Sequence, residues 1–112
     1  GQCFGRWLSG KHAPFTAVFA TAWTGALAVM RVMHERHVDI PAECSLLAQG
    51  GLWPVGRYLV PPLSTIDYDA TEWGRAACEL LAEQMAGKTS APRSISLAPE
   101  IHLRGTTAPL RP

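Results

Sequence analysis

Several clusters of residue types in this sequence have the spacing of reactive groups. Met33-His34-Glu35-Arg36-His37 sets two histidines around a glutamate, as zinc helices do. Here the histidines stand at i and i+3, whereas the zinc helix needs i and i+4. No third ligand is indicated by spacing elsewhere, so no metal site is expected. Solvated side chains at a helix C-terminus, where positive charge suits the helix dipole, account for the cluster. Gly87-Lys88-Thr89 has the ending of a phosphate-binding loop, but that loop needs a glycine where Ala82 stands and must open a helix rather than close one. Cys44 and Cys78 sit among apolar residues, which favours packing over nucleophilic use. Asp67 and Asp69 flank Tyr68 just ahead of a helix, where capping explains them. GxSxG, SxxK and a paired acid and base are all missing from the sequence. No catalytic residue and no cofactor are therefore expected, and the chain is not expected to be an enzyme.

What remains are segments that close short apolar runs. Thr21-Ala22-Trp23 follows one such run, and Gln49-Gly50-Gly51 with Trp53 follows another. If the runs are parallel strands, these segments lie beyond their carboxyl ends, where open α/β sheets bind ligands. A tryptophan there can stack on a planar or sugar ring. Core or subunit packing is the alternative for both, and the simpler account for Trp53.

The elements that must position these segments follow from the pattern of the chain. Thr16 to Ala20 is uncharged and rich in β-branched and aromatic residues, as a strand buried on both faces is. From Thr24 to His37 the period changes: Ala26, Val29, Met30 and Met33 line one helical face, and Leu27, Arg31 and His34 form a second, mixed stripe. A loop carrying Pro41 leads to a short strand over Ser45 to Ala48. After an irregular stretch with Tyr58, Pro61 and Pro62, Leu63 to Ile66 is again extended. Asp69 and Glu72 have the spacing of a capping box ahead of a helix running to Met85, with Gly87 as its stop. Trp73, Ala76, Ala77, Leu80, Leu81, Gln84 and Met85 mark its apolar face. Ser94 to Ala98 and Ile101 to Arg104 are two more candidate strands, and Gln2 to Leu8 has the look of a helix tail. Strands alternating with helices predict an α/β fold with a mostly parallel sheet flanked by helices.

Composition bounds the partners. The chain has 112 residues, 47% hydrophobic and 17% charged, with a net charge of +1, so it can bury a core. Its ten basic residues are scattered and only two are lysines, which argues against a phosphate-binding surface spread along the chain. The three cysteines, Cys3, Cys44 and Cys78, form no CxxC pair and suit reduced thiols of a cytoplasmic protein. No stretch is apolar enough for a membrane span, and no membrane partner is expected.

Three ordered segments carry a family resemblance. Tyr58-Leu59-Val60-Pro61-Pro62-Leu63-Ser64-Thr65-Ile66 resembles a "YxxPPLTTV" segment, Glu72-Trp73-Gly74-Arg75-Ala76-Ala77 an "EMGRxA" helix start, and Glu100 to Pro109 a terminal "ELxxRxSTAP". Together with the stretch from Thr16 to Gly51, they resemble the effector-binding core of the LacI/GalR family of bacterial transcriptional regulators. The resemblance implies the C-terminal subdomain of a periplasmic-binding-protein-like (type I) fold, with residues 1–112 forming one partial effector-binding and dimerisation domain. An N-terminal helix-turn-helix and an N-terminal subdomain would lie outside this sequence, so operator DNA would be bound only through them.

The resemblance also implies site residues. Effector contacts fall at Ala22, Trp23, Gly50, Gly51 and Trp53, and a homodimer interface at Leu27, Met30, Arg31, His34, Tyr58 and Leu59. The family's Asn-Asp after the first strand is here Ala22-Trp23, and its Asp-Asp after the second falls at Gly50-Gly51. Each lost hydroxyl partner costs about 1 kcal/mol or more of discrimination. The expected small-molecule effector is therefore less hydroxylated or more aromatic than a typical sugar, for instance nucleoside-like. A periplasmic solute-binding protein of a transport system is the alternative, since it shares the fold.

Overall fold

The computed structural model describes residues 15–50, 54–88 and 91–110. The helix expected at Gln2–Leu8, and with it Cys3, lies outside the described residues. The described chain divides into two compact units, residues 1–67 with 101–112, and residues 68–100.

The first unit is built on parallel strands. β1 (Ala17–Ala20) leads through α1 (Trp23–Glu35) to β2 (Ser45–Gln49), and a 3-10 turn (Val55–Tyr58) leads to β3 (Ser64–Asp67). β4 (Glu100–His102) completes a sheet ordered β1-β2-β3-β4. β1 pairs with β2, and β2 with β3, both in parallel. The register places Val18 beside Leu46 and Ala20 beside Ala48, with Thr65 next to Ala48. These residues share one face, because strand side chains alternate. α1 covers that face with Ala26, Val29 and Met33, and Cys44 and Leu63 complete the buried core. The helical face predicted from Ala26, Val29, Met30 and Met33 is thus the buried one, with Met30 packed at the rim.

α1 stops by backbone geometry rather than by glycine. His37 adopts φ 56°, the N–H of His37 bonds to the carbonyl of His34, and that of Val38 bonds to Met33. This is the paired pattern of a Schellman ending, with Val38 packing back on the core.

The opposite sheet face is less covered. Phe19 is 52% exposed. The expectation that β1 is buried on both faces therefore fails: an uncharged run of residues shows that a strand can be buried, not that both faces are.

The second unit is α2 (Ala70–Met85) with the segment after it. Asp69 caps it through Oδ1, which accepts from the N–H groups of Thr71 (2.8 Å) and Glu72 (3.1 Å). At the other end Gly87 has φ 66°, its N–H bonds to Gln84, and Lys88 N–H bonds to Glu83. Gly87-Lys88 is thus a helix stop, as argued against a phosphate loop. Of the predicted apolar face only Ala76 is buried, while Trp73, Leu81 and Met85 are exposed. Ser94–Ala98, one of the two candidate strands, has no regular structure; the other, expected over Ile101 to Arg104, forms one residue earlier, at Glu100–His102.

Candidate functional site

The parallel register gathers the carboxyl ends of β1, β2 and β3 at one edge of the first unit: Ala20 pairs with Ala48, and Gln49 with Ile66. Thr21-Ala22-Trp23 and Gly50 leave from this edge. Ala22 is the extended residue before α1 and makes no side-chain cap, and the first turn holds no acidic residue. Trp23, 36% exposed, is the first helical residue. Gly50 has φ 61°, a left-handed conformation that glycine adopts freely, and its N–H bonds to the Ile66 carbonyl at 2.7 Å. The first two effector candidates and Gly50 thus share one edge; Gly51 and Trp53 lie outside the described residues.

At the same edge, Asp67 is buried at the end of β3. Its Oδ2 accepts from Thr65 Oγ1 at 2.6 Å and lies 3.9 Å from His102 Nε2, while its Oδ1 is buried without a hydrogen bond. The sequence reading assigned Asp67 to capping. The cap is Asp69, and Asp67 is a strand residue facing inward.

The positions read as a dimer interface separate into two kinds. Leu27 is half-buried and Arg31 and His34 are exposed, with Arg31 Nε bonded to Glu35 at 2.9 Å. Tyr58 is 74% exposed. Met30 and Leu59, by contrast, pack against the core. The histidine cluster at the end of this helix is exposed as expected, and among the described residues no group of three or more His, Cys, Asp or Glu converges. No helix of the described residues is long and apolar enough to cross a membrane.

The two motifs flanking the irregular stretch meet in space. Thr106 is fully buried: its hydroxyl accepts from the Ser64 N–H and donates to the Leu46 carbonyl, both at 2.8 Å. The Thr106 carbonyl in turn accepts from the Leu46 N–H at 2.7 Å. Arg104 Nη1 donates to the Leu63 carbonyl (2.6 Å) and to Thr65 Oγ1 (2.9 Å), and Ser64 Oγ joins the Arg104 N–H and Thr107 Oγ1. A Cβ on Gly105 would stand 2.9 Å from Pro62 Cδ, so the Pro-Pro and Arg-Gly-Thr-Thr segments touch where only glycine fits. Residues 104–108 therefore bridge β2 and β3 by hydrogen bonds that neither strand makes to the other at those points.

This arrangement agrees with a family comparison. Residues 2–107 match the model of the periplasmic binding protein-like domain. The chain belongs to that family. Relatives of this periplasmic binding protein-like chain are regulators. The HTH-type transcriptional repressor PurR of Vibrio parahaemolyticus is 30% identical over 85% of this chain and 28% of its own length. The ribose operon repressor of Haemophilus influenzae is 32% identical over 80% of this chain and 26% of its own. The chain thus spans little more than a quarter of the curated relatives it matches.

Among solved structures, a LacI family transcriptional regulator from Arthrobacter sp. FB24 in complex with lactose superposes with a TM-score of 0.74 at 28% identity, covering 95% of this chain and 38% of that one. A LacI family regulator from Bifidobacterium animalis subsp. lactis gives 0.82 at 25% identity, over 96% and 39%. The resemblance to the LacI/GalR effector-binding core is borne out, and with it the α/β, mostly parallel fold.

Proposed function

We propose that this chain is the ligand-sensing and dimerising part of a LacI/GalR-type transcriptional regulator, a repressor acting in the cytoplasm. The observation that carries the reading is the shared carboxyl edge of β1 and β2, where Trp23 and Gly50 stand in a chain whose relatives are repressors. The relatives' identity favours this over the solute-binding protein of transport. The first unit is the part that belongs to the C-terminal subdomain, and DNA is bound through a domain outside these residues.

The effector is a small molecule that stacks on Trp23 rather than one held by a ring of side-chain hydrogen bonds. Lactose occupies the Arthrobacter regulator. Here Ala22 and Gly50 offer no side-chain acceptor for hydroxyls. Calorimetry on the intact protein with a panel of sugars tests the point: weak or undetectable binding of ordinary hexoses is expected, and tight binding refutes it.

Arg31, His34 and Tyr58, with half-buried Leu27, form the accessible part of a homodimer interface, and Met30 and Leu59 are its partly buried support. Arg and Tyr anchors suit such a surface. A Leu27→Asp, Tyr58→Asp double variant of the intact protein should sediment as a monomer; a variant that stays dimeric removes these residues from the interface.

A further inference from the structure

The chain leaves the first unit after Asp67 and returns to it at Ile101, so the residues between are carried by two neighbouring strands, β3 and β4. One buried group at this neck lacks a partner. Asp67 ends β3 and, two residues on from Thr65, shares the sheet face that α1 covers. Its Oδ2 accepts the Thr65 hydroxyl at 2.6 Å, but Oδ1 is buried without a hydrogen bond. A buried carboxylate short of a donor is costly, and such a group in a folded protein calls for an explanation. A donor stands close by. His102 is the last residue of β4, and its Nε2 lies 3.9 Å from Asp67 Oδ2. That is too long for a hydrogen bond and short enough for a small side-chain rotation to make one. The His102 side chain is 31% exposed, so protons of the solvent reach it while Asp67 stays buried.

We propose that Asp67 and His102 form a pH-sensitive clasp between β3 and β4. With its added proton the imidazole is charged and donates from both nitrogens, and it closes on the carboxylate as a charge-assisted hydrogen bond. Without that proton the charge attraction is gone and β4 separates from β3 more readily. Three charged groups bear on His102. Asp67 faces it from β3. Glu100 stands two positions away on β4 itself, on the same side of the strand. Arg104 enters from the terminal segment, where its Nη1 donates to the Leu63 carbonyl (2.6 Å) and to Thr65 Oγ1 (2.9 Å). The two carboxylates attract an imidazolium and the guanidinium repels it. Imidazole exchanges its proton between pH 5 and 8, whereas carboxylates and guanidinium keep their charges across that window. The clasp is therefore closed at the acid end of the window and open at the alkaline end. Residues 68–100 return to the first unit through β4, so the clasp sets how firmly that return is held.

Hydrogen exchange on the intact protein, corrected for intrinsic rates, tests this with β1 as the internal reference, since Ala17–Ala20 carries no ionisable side chain. From pH 5.5 to 8.0 the protection of β4 relative to β1 should fall about three- to tenfold, as suits a charge-assisted bond that is partly screened by solvent. His102→Gln should sit at the low value at both pH values, and His102→Lys, which keeps a positive charge throughout, should not fall. Asp67→Asn should also abolish the fall. A wild-type ratio that does not change with pH overturns the clasp, as does a fall that persists in His102→Gln. A fall that persists in Asp67→Asn moves the partner to Glu100 and overturns it equally. If His102→Gln loses protection in β1 as well, it has unfolded generally, and the His102→Lys protein decides: an undiminished fall there refutes the proposal.

Discussion

Replacing Thr106 by valine should unlatch the terminal segment from the sheet. Valine matches threonine in shape and removes only the hydroxyl. Thr106 is fully buried, and its Oγ1 serves two strands, accepting from Ser64 N–H and donating to the Leu46 carbonyl at 2.8 Å each. The variant leaves a buried backbone N–H on β3 without that acceptor, and a carbonyl on β2 without that donor. A buried group stripped of its partner costs about 1–3 kcal/mol, and orphaned N–H groups are tolerated less well than carbonyls. Most of the loss thus comes from Ser64, for a total of roughly 2–4 kcal/mol. Against the 5–15 kcal/mol that holds a domain together, this is a large fraction, and in a protein several times the length of this chain it should lower the melting temperature by roughly 5–10 °C.

Thr106→Ser keeps the hydroxyl and should recover most of the difference. Ser45→Ala is the second control: its Oγ also joins the tail, at Ala108, but in exposed surroundings, so its loss should stay below about 1 kcal/mol. Scanning calorimetry of the four proteins decides the matter. A Thr106→Val protein that melts within about 2 °C of wild type would show that the bridge between β2 and β3 carries no net stability.

Three further outcomes follow from local geometry. Gly105→Ala forces its new methyl against the Pro62 ring, 2.9 Å away, and neither partner is a flexible chain end; it should destabilise by about 1–3 kcal/mol in a urea melt, as overpacking does. His37→Gly relieves the left-handed residue that ends α1, and should raise stability by about 0.5–1 kcal/mol on the same melt. Burial pushes the Cys44 thiol above its ordinary range, so the folded state holds this proton where the unfolded chain would release it. Its contribution is complete below the ordinary thiol range near pH 8.5 and fades above it, and Cys44→Ala should flatten that alkaline loss; in a Cys3→Ser background, a thiol reagent should label Cys78 at once and Cys44 only after unfolding.

The legible parts of this fold are those where a few neighbouring residues decide the outcome. α2 could be read to its last turn because Asp69 and Gly87 act on the backbone within three or four positions. The core face of α1 emerged from its periodicity, and the strands at Ser45 and Leu63 were placed within a residue because short apolar runs between turns have few other uses. Burial was less legible. The same apolar runs that named β1 and α2 left open which surfaces would be covered, and Phe19, Trp73 and Met85 are exposed. The carboxyl edge with Trp23 and Gly50 could be named from the order of elements. Capping was assigned to both Asp67 and Asp69. Only the strand register shows that Asp67 points inward while Asp69 holds the helix.

The position of Asp67 shows how the sheet and the sensing edge are joined. Its Oδ2 takes the Thr65 hydroxyl, the same hydroxyl that receives Arg104 Nη1, and Arg104 also holds the Leu63 carbonyl. One chain of polar contacts thus runs along β3 from the Pro-Pro segment at its amino end to the carboxyl edge. Buried polar groups that share partners move together, because breaking one link leaves the next unsatisfied. Lost hydrogen bonds at Arg104 should accordingly be felt at Asp67, although Arg104 lies at the far end of the network from Gly50 and Trp23. The arginine and threonines of the terminal segment are therefore more than a seam closing the sheet. They brace the strand whose end, with its neighbours β1 and β2, forms the edge where the effector is proposed to bind.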